Sequence, residues 1–245
     1  MDGKHKANLK VNALLGKEIS YHIDCLLITM TANAKICLIS CSVLKEEIEK
    51  LVKSGDLDAE LVFVSKYFHV DYALLEKNLR RVVKNCLPRF PGKIVLVYGD
   101  LCLGQNMEMK QFVEEFGLVK VDALNCIDCQ LGGKGNFLDA DPNHDLLFLS
   151  PGMIGFFGHF KEKMQRENVG EDVMKKLFCG IRGIVLLDTL GDADKRKNQI
   201  EKLDTGLNIL ETREIGLEKL KQVISEAIER NKQKLAGSRQ ENSSG

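Results

Sequence analysis

The chain has 245 residues, enough to bury a substantial core, with 44% hydrophobic and 29% charged residues. Its 35 basic residues balance 35 acidic ones, so no net field draws it to nucleic acid or to an anionic membrane; a small molecule or another protein is the expected partner. Eight cysteines, without a secretory signal or an apolar run of about 18 residues, read as reduced thiols and a cytoplasmic location.

Residues 1–34 read as a polar leader or packed N-terminal arm, with one short apolar stretch at 26–30. From residue 35 a short apolar run and an amphipathic helix alternate, which is the pattern of βαβ units. The first strand is placed at 35–41, and the helix after it sets Leu44, Ile48, Leu51 and Val52 on one face before Gly55 ends it. A second strand at 61–64 leads to a helix with Asp71 as N-cap, a stripe of Leu75, Leu79 and Val83, and a stop at Pro88. The run 93–98 is apolar throughout, as a strand covered on both faces must be. Further strands are expected at 119–124, 146–149, 183–188 and 207–215, with a helix opening at Ser150-Pro151, a short helix ending at Cys179-Gly180, and a closing helix after Leu217. The fold class is therefore α/β: a largely parallel sheet flanked by helices, a Rossmann-like three-layer sandwich. Residues 35–235 form one domain in this reading, and 236–245, which lack apolar residues beyond Ala236, form a disordered tail.

Ligands of open parallel sheets bind beyond the carboxyl ends of the strands. Cys41 closes the first strand, His69 follows the second, Cys102 follows the third, and Cys126 and Cys129 follow the fourth. Thiols and an imidazole on one edge suit zinc or an iron–sulfur cluster, so these five are the candidate metal ligands. Cys37, Cys86 and Cys179 fall on apolar faces and read as small core residues. The pair Cys126-Ile127-Asp128-Cys129 also admits dithiol exchange, but it is read as running into a glycine-rich loop rather than opening a helix, and Asp128 would raise the thiol pKa values. Gly132 and Gly133 in that loop, and Gly99 with Asp100 in the turn after the third strand, are candidate cofactor-binding positions, where backbone amides approach an anion. Neither a Walker A nor a G-x-G-x-x-G motif stands in the required context.

The segment Tyr98-Gly99-Asp100-Leu101-Cys102-Leu103-Gly104 resembles domain-of-unknown-function family 1638 of anaerobic bacteria and methanogenic archaea. The opening unit at 39–48 and Phe68-His69 before an amphipathic helix are similar to the same family, and Cys102 and Cys126 fall where its pattern carries cysteine. Its members are typically encoded near corrinoid-dependent methyltransferases, so the resemblance implies a corrinoid protein or methyltransferase as partner and a role in one-carbon metabolism. It assigns no reaction. A metal-binding protein of methyl metabolism, a dithiol redox enzyme or sensor, and a non-catalytic accessory protein all remain open at this point.

Overall fold

The computed structural model describes residues 36–167 and 176–243, and the expected leader lies outside them. Strands β1 (Cys37–Cys41), β2 (Glu60–Val64), β3 (Ile94–Val97) and β4 (Val119–Lys120) form one sheet in the order β2-β1-β3-β4, and β5 (Leu146–Leu149), β6 (Gly183–Asp188) and β7 (Ile209–Glu214) form a second in the order β5-β6-β7. Every pairing is parallel. The architecture is thus α/β with helices flanking parallel strands, but the expectation of one sheet is corrected to two. Apolar runs identify buried strands without saying which strands share a ladder; that depends on where the connecting helices lead the chain.

The helices are α1 (Lys45–Lys53), α2 (Tyr72–Cys86), α3 (Glu108–Glu115), α4 (Cys126–Leu131), α5 (Asn136–Ala140), α6 (Pro151–Arg166), α7 (Ala193–Glu201) and α8 (Glu218–Ser243). Asp71 caps α2 through a 3.0 Å bond from Leu74 N–H to its carboxylate, and Pro151 occupies the first turn of α6, both as the sequence predicts. The expected short helix before Cys179 falls largely on 168–175, outside the described residues, and Cys179 itself is exposed rather than packed. Phe178 takes the buried place, against Phe160 and Met164.

β1 and β3 are buried along their whole length, and their side chains form the centre of the main core with Leu44, Ile48, Leu75, Leu79 and Phe112. Helix α8 starts after the second sheet yet packs on the first, burying Leu220, Val223, Ile224 and Ala227 in that core. Asn231 donates to the carbonyl of Gly92 at 2.9 Å, and Leu235 lies against Gly92 where a Cβ would stand. With that turn anchored, a helix propagates through residues of adequate propensity at little cost. It runs to Ser243, so residues 236–243 are helical where a disordered tail was expected.

The fourth strand is shorter than its apolar run. Only Val119 and Lys120 pair with β3; beyond them Asp100 N–H bonds to Ala123 O and Leu101 N–H to Leu124 O, both at 2.9 Å. Those carbonyls serve the turn after β3 instead of continuing the ladder. No helix among the described residues is long and apolar enough to cross a membrane.

Candidate functional site

In the first sheet the chain goes from β1 to β2 on one side, then crosses to β3 on the other. The crevice beyond the carboxyl ends of β1 and β3 is therefore the topological switch point, where open parallel sheets bind ligands. Cys41 ends β1 there, and Tyr98 and Gly99 follow β3.

Cys41 also caps the 3-10 turn Ser42–Leu44, accepting from Val43 N–H at 3.4 Å. Its sulfur lies 3.7 Å from Nδ1 of His69, which is carried by the 3-10 turn Lys66–Val70 after β2. The imidazole is stacked over Tyr98, with ring centroids 6.3 Å apart and nearly parallel planes. Cys102, at the end of the 3-10 turn Asp100–Cys102, and Cys126, at the start of α4, lie close enough for their charges to act on Cys41 and on each other. Cys129 senses both. Four segments thus carry the five predicted ligand positions to the carboxyl edge of the first sheet, with Cys41, Cys102 and Cys129 buried and His69 and Cys126 half-buried.

Burial dominates the electrostatics. It pushes the thiol of Cys102 up to about 11 and that of Cys126 up to about 12, the latter raised also by Cys102. Burial likewise pushes Cys41 and Cys129 well above the ordinary thiol value. Burial lowers His69, against a backbone hydrogen bond at Lys66 that favours its charged form. At neutral pH the cluster is a set of protonated thiols around a neutral imidazole.

The donor chemistry, thiols with an imidazole, suits a thiophilic ion. The spacing does not: among the described residues no three His, Cys, Asp or Glu side chains stand so as to hold one ion. The cluster is not a preformed zinc or iron–sulfur cage.

The C-x-x-C pair opens a helix, which corrects the expectation of a loop. Asn125 is the N-cap, accepting from Asp128 N–H at 2.9 Å, and Gly132 ends α4 in the left-handed region at φ 111°. Asp128 is fully buried and accepts from the amides of Leu124, Gly135 and Phe137 at 2.8, 3.1 and 2.8 Å. It raises Cys129, as anticipated, but its main work is to bind the strand exit and the glycine-rich turn to α4. The signal was present as Asn125-x-x-Asp128 with Gly132 beyond, a cap at each end of one short helix.

The candidate cofactor-binding glycines have packing tasks. A Cβ on Gly99 would strike the backbone of Leu124 and Asn125, one on Gly133 would strike the carbonyl of Asp122, and Gly132 is the helix terminator. Asp100 is ion-paired with Lys120 at 2.8 Å.

Two further residues, Glu47 and Gln130, were not singled out from the sequence. Glu47 of α1 is fully buried, accepts from Thr189 Oγ1 at 2.9 Å and is pushed up to about 7 by burial, and its charge reaches Cys126. Gln130 of α4 donates to Cys126 O and to Ser150 Oγ at 3.2 and 3.3 Å. Oε2 of Glu47, Oε1 of Gln130 and the hydroxyl of Tyr98 are buried without a hydrogen-bond partner. Nothing in a helix stripe or apolar run marks such residues; Glu47 reads as one more charge on an amphipathic helix.

The model of family DUF1638, described as a protein of unknown function, matches residues 63–234. The chain belongs to that family. The DUF1638 match contains His69, Cys102, Cys126 and Cys129, whereas β1 with Cys41, and the opening unit at 39–48, precede it. No curated protein and no solved structure matches the chain.

Proposed function

We propose that this DUF1638 protein is thiol-dependent and acts in corrinoid-linked methyl metabolism, with Cys41 as the thiol that takes up a soft electrophile such as a cobalt-carried methyl group. The observation that carries this reading is the Cys41–His69 contact at the switch point of the first sheet. A buried thiol needs a nearby base, because desolvation opposes its ionisation, and a neutral imidazole within reach of the sulfur supplies one. The proton of Cys41 passes to His69, the thiolate bonds to the methyl carbon, and the electron pair of the broken carbon–cobalt bond stays on cobalt. Tyr98 fixes the imidazole plane by stacking. The link to corrinoid chemistry rests on the family resemblance.

The experiment mixes anaerobically reduced protein with a methylated corrinoid protein, follows the cobalt spectrum, and maps methylated cysteine by mass. Demethylation of cobalt with methyl on Cys41 is expected, lost in Cys41→Ser and His69→Ala and kept in Cys179→Ser. No spectral change and no methylated cysteine with the reduced wild type would end the reading.

The convergence of Cys41, His69, Cys102 and Cys126 favours a second reading, uptake of a soft ion such as zinc once the side chains close on one centre. Its test is a zinc titration of the reduced chain. Stoichiometric binding that Cys102→Ser and Cys126→Ser abolish, and Cys179→Ser does not, is its expected outcome.

A further inference from the structure

The layers of the two sheets meet along a seam bridged by Lys66 to Gly152, Glu47 to Thr189 and Glu46 to Arg196, and the seam is not filled everywhere. Between α6, α7, the 3-10 turn Lys66–Val70 and the first turn of α1 it opens into a cavity of about 660 Å³. That volume lies within the range of roughly 300–1,000 Å³ found for small-molecule sites. The cavity is not the thiol edge, since none of Cys41, His69, Cys102, Cys126 and Cys129 lines it.

Positive charge on its walls exceeds negative. Arg196 of α7 is buried, and its guanidinium is taken up by Glu46 at 2.7 Å and Asp192 at 2.8 Å, while Glu162 of α6 is paired with Arg166 at 3.3 Å. The acidic groups of the lining are therefore compensated. Lys66, Lys161 and Lys202 are not: among the described residues none of the three stands in an ion pair, and Lys66 and Lys161 donate to carbonyls, of Gly152 at 3.0 Å and of Lys202 at 2.8 Å. An ammonium has three donors, so N–H groups are left over. Lys66 is half-buried, and burial holds its pKa below the usual lysine value. An anion in the cavity would offset that cost.

Helix α6 keeps this space open. Gly155 and Gly158 line the cavity from the interior of that helix, where glycine is less stable than alanine. A Cβ on Gly155 would come 2.9 Å from Lys66 Nζ, so glycine there makes room for the ammonium. A Cβ on Gly158 would meet only Leu203 Cδ2, at an ordinary 3.8 Å. Packing thus tolerates a side chain at 158, and what its absence preserves is the cavity. The rings of Tyr67 and His159, with centroids 4.2 Å apart, supply a flat part of the wall.

We propose that this cavity binds a small phosphate-bearing molecule, its phosphate held by Lys66, Lys161 and Lys202 and the remainder lying against Tyr67 and His159. Phosphate is favoured over carboxylate because the free donors are ammonium point charges, whereas the planar fork that suits a carboxylate, that of Arg196, is already engaged. Lys66 shares its turn with His69, which puts the site beside the thiol edge without using the thiols.

The test is a calorimetric titration of the full reduced chain with inorganic phosphate and adenosine monophosphate, with succinate and adenosine as controls. One saturable site for both phosphates is expected, at least tenfold tighter than for either control. Lys66→Gln, and Lys161→Gln combined with Lys202→Gln, should each weaken it about tenfold or more, and Gly158→Leu, which fills the cavity from a position with room for a side chain, should abolish it. Cys41→Ser should keep it, so this site and the methyl-uptake reading fail separately. If Lys66→Gln does not fold, because it loses the bond to Gly152, the double variant and Gly158→Leu decide. No saturable binding of phosphate at millimolar concentration, succinate or adenosine bound as tightly, or an affinity that the double variant and Gly158→Leu leave unchanged would overturn the proposal.

Discussion

The two sheets share a design and differ in what their carboxyl edges do. At the second sheet the polar groups are used up locally: Asp188, at the end of β6, accepts from the amides of Leu190, Gly191 and Asp192 at 3.2, 2.7 and 3.1 Å. Thr189 and the N-terminal turn of α6 reach across to the first sheet. Thr189 binds Glu47, the carbonyl of Gly152 accepts from Lys66 Nζ at 3.0 Å, and Gly152 sits so tightly on Val43 O that a Cβ has no room. At the first sheet the edge instead gathers protonated thiols, one imidazole and three buried polar atoms without partners. Unmet hydrogen-bonding capacity in a packed interior costs stability and persists where something other than stability is served. The second sheet supplies a wall, and the first carries the thiols and the imidazole.

The largest effect should come from removing the carboxylate that holds the thiol edge together. Asp128→Ala leaves three part-buried amides without their acceptor, and since a fully buried loss costs roughly 1–3 kcal/mol each, a drop of about 2–3 kcal/mol in unfolding free energy is expected. Urea denaturation measures it. Cys126 should label faster in the folded variant, because α4 loses its tie to the turn behind it; unchanged stability and labelling would show that the edge does not depend on Asp128.

Glu47 gives a pH-dependent version of the comparison. Its carboxyl is raised from about 4.5 to about 7, chiefly by burial. Between those values the folded state binds more protons than the unfolded one, so the stability that neutral Glu47 allows is full below about pH 4.5 and lost as pH rises to about 7. Above that the charged side chain costs about 3 kcal/mol, an order-of-magnitude figure from the size of the shift. Glu47→Gln should therefore match the wild type near about pH 4.5 and exceed its stability by a few kcal/mol at about pH 8. Denaturation midpoints at both pH values check it, and a gap independent of pH would place the cost of this residue elsewhere.

The smallest effect is expected at the end of α8. Among the residues whose side chains are described, Leu235 on Gly92 is the last packed position of α8, and deleting residues 238–245 is expected to leave Tm and the thiol reactivity of Cys126 unchanged within error. Deleting from Leu235 should lower both stability and cluster integrity, since α8 covers β3, β4 and α4.

The sequence by itself determined the parallel α/β class, because continuous apolar runs alternating with amphipathic stripes have few other solutions. It also placed Cys41, His69, Cys102, Cys126 and Cys129 on one edge, since each follows a strand and parallel strands all end on the same side. Tertiary structure alone decided the rest. The division into two sheets depends on which strands the crossovers leave adjacent, and apolarity does not encode adjacency. The early end of β4 and the packing role of Gly99 follow from one loop's carbonyls meeting another loop's amides. The burial of Glu47 depends on Thr189, 142 residues away in the chain. Cys37 and Cys86 read as two separate core residues, and only the packed chain places β1 and the end of α2 in one core, because adjacency of distant residues is a property of the packed chain and not of either neighbourhood.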